Sequence, residues 1–416
     1  MELYYSFSIL IVLASFFAYL NLRFLRLPPA IGIMVIAMFS SIFLVIFGKF
    51  FPETVTGFSE LLIGVDFTEV LMGAMLNFLL FAGAVHINIA DLREQKLPVM
   101  LFSTVSVIIS TFAVGLILYY VLPLLGFGMP LLYCLLFGAL ISPTDPVAVL
   151  SILKNANVPK SLETKVAGES LFNDGVAVVV FAVILNLTLG DSFDITFGNI
   201  SWLLLKEAGG GFLLGAFLGF TASKAIKSVN DYIVSVLITL SVVMGGYLIA
   251  HAMHISGPLT MVAAGIIIGN YGKRTAMSDE TKDYLNKFWE LIDEIMNAVL
   301  FLFIGFELLL IPNILDYWLV GVVSIVVVLA ARFLSIWVPT FLIRFKRKFS
   351  PGTIKILVWG GLRGGVSIAL ALSTGESEYR YILIAITYFV VVFSIVIQGL
   401  TVGKVAGRVL KEERSE

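Results

Sequence analysis

The sequence predicts an all-α polytopic membrane protein of thirteen transmembrane helices, built as two inverted six-helix repeats (spans 1–6 and 8–13) with broken helices at spans 5 and 12. Three observations predict this. Of 416 residues, 59% are hydrophobic and only 13% charged, against about 25% charged in a soluble domain. Apolar runs of about 20 residues, the length that crosses a bilayer as a helix, recur along the chain. Two of these runs are interrupted in the middle, one by prolines and one by glycines, at corresponding places in the two halves. Such matched interruptions point to the binding site of a secondary transporter.

The runs fall at roughly 4–22, 29–48, 69–89, 98–122, 131–153, 162–188, 200–223, 231–252, 256–271, 287–310, 316–343, 352–374 and 380–402, followed by a short charged tail, 403–416. No stretch is hydrophilic enough to form a soluble domain, so 1–402 reads as one membrane domain. Glu2 follows the first Met where a cleavable signal would carry positive charge, so no signal peptide is expected. Twenty-seven basic against 28 acidic residues exclude a nucleic-acid binder, and the single Cys134 excludes a disulfide framework or a cysteine metal cage. Alternate loops carry Arg23, Arg26, Arg93, Lys96, Lys160, Lys224, Lys227, Lys273, Arg274 and Lys346, with further basic residues in the tail. The opposite loops carry Lys49 and Arg380. By the positive-inside rule this bias puts the N-terminus outside and the C-terminus in the cytoplasm, which an odd number of spans satisfies.

Charge inside a bilayer costs at least ~2.5–3.5 kcal/mol per residue, so each intramembrane charge needs a reason. The candidates are Asp145 in the fifth span, Glu169 and Asp174 in the sixth, Arg332 in the eleventh and Arg363 in the twelfth. In the fifth span, Ser142-Pro143-Thr144-Asp145-Pro146 sits within an apolar run. Pro143 frees the carbonyl of Ala139 and Pro146 frees that of Ser142. A stretch unwound in this way offers carbonyls, a hydroxyl and a carboxylate at one depth, hard oxygen ligands suited to Na⁺.

In the sixth span, Gly168-Glu169-Ser170-Leu171-Phe172-Asn173-Asp174 sets Glu169 and Asn173, and Ser170 and Asp174, four apart on one helix face. A hydrogen-bonded seam between helices accounts for Ser170 and Asn173 but leaves two carboxylates unexplained. In the twelfth span, Gly360-Gly361-Leu362-Arg363-Gly364-Gly365 weakens the helix and permits close backbone approach. Gly211, Gly215 and Gly219 in the seventh span read instead as a packing interface. His86, His251 and His254 read as interfacial histidines, and no phosphate-binding loop indicates ATP as an energy source.

These residues resemble a family. Ser142-Pro143-Thr144-Asp145-Pro146, Gly168-Glu169-Ser170-Leu171-Phe172-Asn173-Asp174, Ala331-Arg332 and Gly361-Leu362-Arg363-Gly364 are similar to the motifs of CPA1-type monovalent cation/proton antiporters. That group comprises the NhaP-like Na⁺/H⁺ antiporters and the sodium/proton exchangers; Phe303-Ile304-Gly305 and Leu27-Pro28-Pro29 add support. The resemblance implies a homodimer with a dimerisation bundle (spans 1–3 and 7–10) and a moving core bundle (spans 4–6 and 11–13). It also implies that Asp174 binds the cation or proton, with Asp145, Ser170 and the Thr144 main chain completing the Na⁺ site and Glu169 contributing through water. Glu169 would pair with Arg332, and Arg363 would offset the dipole ends of the broken helices. Asn173 marks the electroneutral branch, and the short tail a prokaryotic source.

The function this implies is Na⁺ (or Li⁺) exchanged one for one with H⁺ across the cell membrane by alternating access, serving sodium transport and pH homeostasis. The partners are the transported ions and membrane lipid, with no enzyme chemistry and no cofactor. A buried carboxylate holds a proton or a cation but not both, which couples the fluxes. K⁺/H⁺ exchange is the alternative within transport; a cation channel or membrane sensor is the alternative of another class.

Overall fold

A computed structural model describes residues 2–48, 73, 75–146, 149–150, 153, 158–189, 197–229, 231–309, 311, 314–343 and 351–415. The start of the third expected span (69–72), parts of the second half of the fifth (147–148 and 151–152) and the loop at 344–350 lie outside the described residues. Among the described residues there is no strand; pairing of β type is limited to a bridge between Asp145 and Leu362.

Helix α1 (Glu2–Leu20) continues through a π turn to Arg26, whose left-handed backbone (φ 54°) ends it. The Asn21 side chain ties both the carbonyl and the amide of Leu27, and Pro29 then opens α2 (Pro29–Gly48). Proline is suited to a first helical position because its missing amide has no partner there anyway. Next come α3 (Leu76–His86), α4 (Lys96–Leu125), α5 (Leu131–Ile141), α6 (Lys160–Leu189), α7 (Gly210–Val229) and α8 (Tyr232–Ala252). The chain continues with α9 (Gly257–Ile267), α10 (Asp279–Phe306), α11 (Trp318–Leu342) and the paired short helices α12 (Pro351–Trp359) and α13 (Gly365–Leu372). It ends with α14 (Arg380–Phe393) and α15 (Gly399–Ser415). Asp231, Ser256 and Ser278 cap α8, α9 and α10 by accepting from amides of the first turn. Among the described residues, eight helices are long and apolar enough to cross a bilayer, with α3 and α5 as shorter apolar helices beside them.

Two elements run beyond the apolar stretches that announce them. Helix α10 begins at Asp279 rather than near 287, because its first turns are amphipathic. Leu285 and Trp289 are buried there, while Asp279–Lys282 and Asp283–Lys287 pair on the outside. The segment expected as a tail from 403 continues as α15, with Val402, Ala406 and Val409 buried at helical spacing.

Buried apolar side chains form two clusters. The larger joins α1, α2, α4, α5 and the helices from α11 to α15, with contributions from α6 and α10. The smaller joins α3, α7, α8, α9 and the first half of α10. Within it α9 is packed between α7 and α3 by small residues. A Cβ on Gly215 would overlap the carbonyl of Thr260, and one on Gly269 that of Val85. His251 and His254 lie exposed at the end of α8.

Candidate functional site

The site lies where two interrupted helices meet. Helix α5 ends at Ile141 with Ser142 as its cap, and the stretch after it is pinned by the Asp145 amide, which donates to the Leu362 carbonyl at 2.8 Å. Leu362 belongs to the interruption between α12 and α13, so each break supplies the other's backbone partner. The carbonyls that the prolines release are not left open. Ala139 O accepts from the Ser142 amide at 3.2 Å, while Ser142 O and Pro143 O both accept from Arg363 Nη1, the latter at 2.9 Å. The buried guanidinium thus sits at the C-terminal end of α5, where helix dipoles favour positive charge. Both carbonyls thus accept from Arg363, a partner that the sequence alone does not suggest.

The polar stripe of α6 divides into two sectors. On one edge, Asn173 clamps Thr144, its Nδ2 donating to Thr144 Oγ1 at 2.8 Å and its Oδ1 accepting from the Thr144 amide at 3.4 Å. On the same edge Glu169 Oε1 accepts from Arg332 Nη1 at 2.6 Å. Arg332 Nη2 donates to Leu357 O at 3.0 Å, tying α11 to α12. Gly361 leaves room for this guanidinium, since a Cβ there would press on Arg332 Nε. On the other edge, Ser170 donates to the Thr144 carbonyl and Asp174 stands one turn further on. Glu169, Ser170, Asn173, Asp174, Thr144, Arg332 and Arg363 are all buried.

A cavity of about 770 Å³ reaches this second edge. Asp174, Ser170, Thr144 and Asp145 line its inner end with Gly364, Gly365 and Ser367; Asn88, Asp91, Lys160 and Glu163 line its mouth. Lys160 and Asp91 pair there at 2.9 Å. Glu169, Asn173, Arg332 and Arg363 do not line the cavity. Its other walls are α3, through Leu76, Leu80 and Gly83, and α10, through Asn286, Glu290, Asp293, Glu294 and Asn297. Sequence reasoning missed these acids, although their helical spacing within an apolar run was a visible signal. Among the described residues no group of three or more His, Cys, Asp or Glu is arranged to hold a metal ion. A cation held between Asp145 and Asp174 would therefore complete its shell from neutral oxygens. Ser170 and Thr144 line the same cavity and offer such oxygens.

A sequence profile described as the transmembrane sodium/hydrogen exchanger matches residues 11–407. The chain belongs to the sodium/hydrogen exchanger family. It is 47% identical over 409 residues to the Na⁺/H⁺ antiporter NhaP of Pseudomonas aeruginosa, covering 96% of this chain and 95% of that one. It is 36% identical to the Na⁺/H⁺ antiporter NhaH of Halobacillus dabanensis over 80% of this chain and 82% of the other. A solved sodium proton antiporter from Methanocaldococcus jannaschii superposes with a TM-score of 0.77, covering 99% of this chain and 100% of that one, and at 21% identity it shares the fold. The sodium/hydrogen exchangers are membrane transporters, not enzymes, and the chain is a multi-pass member of them.

Proposed function

We propose that the chain is a secondary antiporter exchanging Na⁺ (or Li⁺) for H⁺, one for one, with both ions competing for Asp174. The observation that carries this is the pairing of Asp174 with Asp145 at the inner end of an acid-lined cavity, with Ser170 and Thr144 beside them. Two carboxylates and neutral oxygens form a hard donor set for a small monovalent cation. Either a proton or the cation satisfies Asp174, so the fluxes are coupled by exclusion.

Thirteen spans in two inverted repeats, with the N-terminus outside, agree with the bridging of the two interruptions and with the basic loops. The cavity mouth bears Lys160 and Asp91, beside the loops rich in Arg and Lys, which supports reading this conformation as open to the cytoplasm. Spans 4–6 and 11–13 form the moving core, and spans 1–3 and 7–10 the scaffold. The smaller apolar cluster supports the grouping of α3 with α7–α10, while α1 and α2 share the larger one. Outward-facing Phe212, Leu213, Phe217 and Phe220 on α7 suit cover by lipid or by the second subunit of a homodimer.

The test is proteoliposomes with a trapped pH dye. Wild type should move protons on addition of Na⁺ or Li⁺, with a smaller response to K⁺. Asp174→Asn should abolish the flux while the purified protein still folds, because the amide is nearly isosteric but cannot exchange a proton. Substantial cation-driven proton flux in Asp174→Asn overturns the assignment, and a response to K⁺ alone moves it to K⁺/H⁺ exchange. Flux that does not saturate or needs no counter-ion indicates a channel.

A further inference from the structure

We propose that Ser367 belongs to the cation site, bringing a hydroxyl oxygen from α13 to an ion held between Asp145 and Asp174 and tuning which ion is accepted. This rests on the exchange reading above. Helix α13 starts at Gly365 after the second interruption, and Asp145 lies against that start: a Cβ on Gly364 would overlap Asp145 Oδ2. Ser367 stands in this first turn and lines the same cavity as Asp145, Asp174, Ser170 and Thr144. It is 1% exposed, and its Oγ has no hydrogen-bond partner.

That vacancy of bonding follows from position. Several buried serines in this chain turn the hydroxyl onto the carbonyl four residues back, as Ser41, Ser142 and Ser223 do with Ala37, Gly138 and Gly219. Four residues before Ser367 is Arg363, which lies in the interruption and outside the helix. Ser367 is thus denied the usual partner at the one turn of α13 that holds a site carboxylate. Buried hydroxyls are mostly paired; Ser110 and Ser324 are also without a partner, but of the three it is Ser367 that lines the cavity beside the site carboxylates, where an ion would meet it. A hydroxyl oxygen is a hard, neutral donor that suits Na⁺ or Li⁺ and adds no charge. Ser170 comes from α6 and Ser367 from α13, so an ion at the carboxylates would meet hydroxyls from two separate elements. The number and reach of such oxygens discriminate ions of equal charge.

The experiment compares wild type, Ser367→Ala and Ser367→Thr in proteoliposomes and, as purified protein, in melting titrations with Na⁺ and Li⁺. Ser367→Ala should raise the apparent KM for Na⁺ about fivefold, the effect of one lost neutral hydrogen-bonding group. The Li⁺-to-Na⁺ ratio of KM values should shift, maximal rate should stay near wild type, and the ion-free melting temperature should not move. Ser367→Thr, which keeps the oxygen, should restore the KM values. Unchanged KM for both ions overturns the proposal, as does a lower melting temperature with unchanged KM. Wild type without cation-driven proton flux would sink the exchange reading instead. The titration still decides Ser367 in that case: the cation that stabilises wild type must stabilise Ser367→Ala less, and equal stabilisation refutes the assignment.

Discussion

The buried Glu169–Arg332 pair should be a stability element whose two halves are worse apart than absent together. Arg332 Nη1 meets Glu169 at 2.6 Å, and Nη2 meets Leu357 O at 3.0 Å. Both side chains are nearly inaccessible, at 6% and 2% exposure. Glu169→Gln removes the negative charge and leaves a buried guanidinium with only neutral oxygens, the new amide oxygen and Leu357 O, to bond. Arg332→Met removes the positive charge and also strips Leu357 O of its donor. Breaking one side of a buried pair costs about 3–5 kcal/mol. At about 2 °C per kcal/mol for a long chain, each single variant should melt about 6–10 °C below wild type in detergent. Glu169→Gln with Arg332→Met carries no uncompensated charge. Apolar replacement of a whole buried pair is often near neutral, so the double variant should melt above both singles. Tryptophan fluorescence on heating, from the five Trp residues, reads all four proteins. If the double variant shows the sum of the single losses, the two groups are independent and the reasoning fails.

Gly364→Ala should stop transport by displacing Asp145, whereas Gly128→Ala, where an added Cβ meets nothing within 4 Å, should transport as wild type does; normal flux in Gly364→Ala would refute the packing. The apparent KM for Na⁺ should rise as pH falls, with a smaller change in maximal rate; a constant KM with a steep rate change would indicate a separate pH sensor. Exchange should be electroneutral, so the reversal point under a K⁺/valinomycin clamp should ignore voltage, although ~2.3 kcal/mol per charge is available at 100 mV. Lys273, in the short helical turn that follows α9, is held by burial at about 8 against 10.5, and its Nζ donates to Val85 O at 2.8 Å. Between those values the unfolded chain binds the proton that the folded one releases, so stability rises with pH. The melting temperature of wild type relative to Lys273→Met should therefore climb from pH 8 to 10; a flat difference would contradict the burial.

Much of this architecture was legible because membrane helices announce themselves by hydropathy. The expected 29–48 is α2 to the residue, and both interruptions fall where prolines and glycines forbid continuous hydrogen bonding. The α10 start and α15 were not, because their burial is carried by amphipathic spacing that a search for uniformly apolar runs passes over. At the site, the residue types were readable but their directions were not. Four-residue spacings put Glu169 with Asn173 and Ser170 with Asp174 on one broad face, yet about 100° separates each residue from the next, enough to send Glu169 to Arg332 and Ser170 to the cavity. Nor does local sequence say that Arg363 takes the carbonyls of Ser142 and Pro143, a contact across more than two hundred residues of chain.

The two guanidinium groups at the crossing have an electrical consequence for leakage. With every group ionised, three carboxylates (Asp145, Glu169 and Asp174) stand against Arg332 and Arg363, leaving the buried centre one negative charge in excess. A single proton or a single monovalent ion cancels it; a divalent ion overshoots, and nothing at all leaves it charged. Carrying an unneutralised charge through a low-dielectric passage costs several kcal/mol, and each 1.4 kcal/mol slows a step about tenfold. Under the proposed exchange mechanism, the empty protein would then be held on whichever side it last unloaded. Tight coupling is then a property of the centre's arithmetic valence, and a variant that neutralises Asp145 or Glu169 should leak.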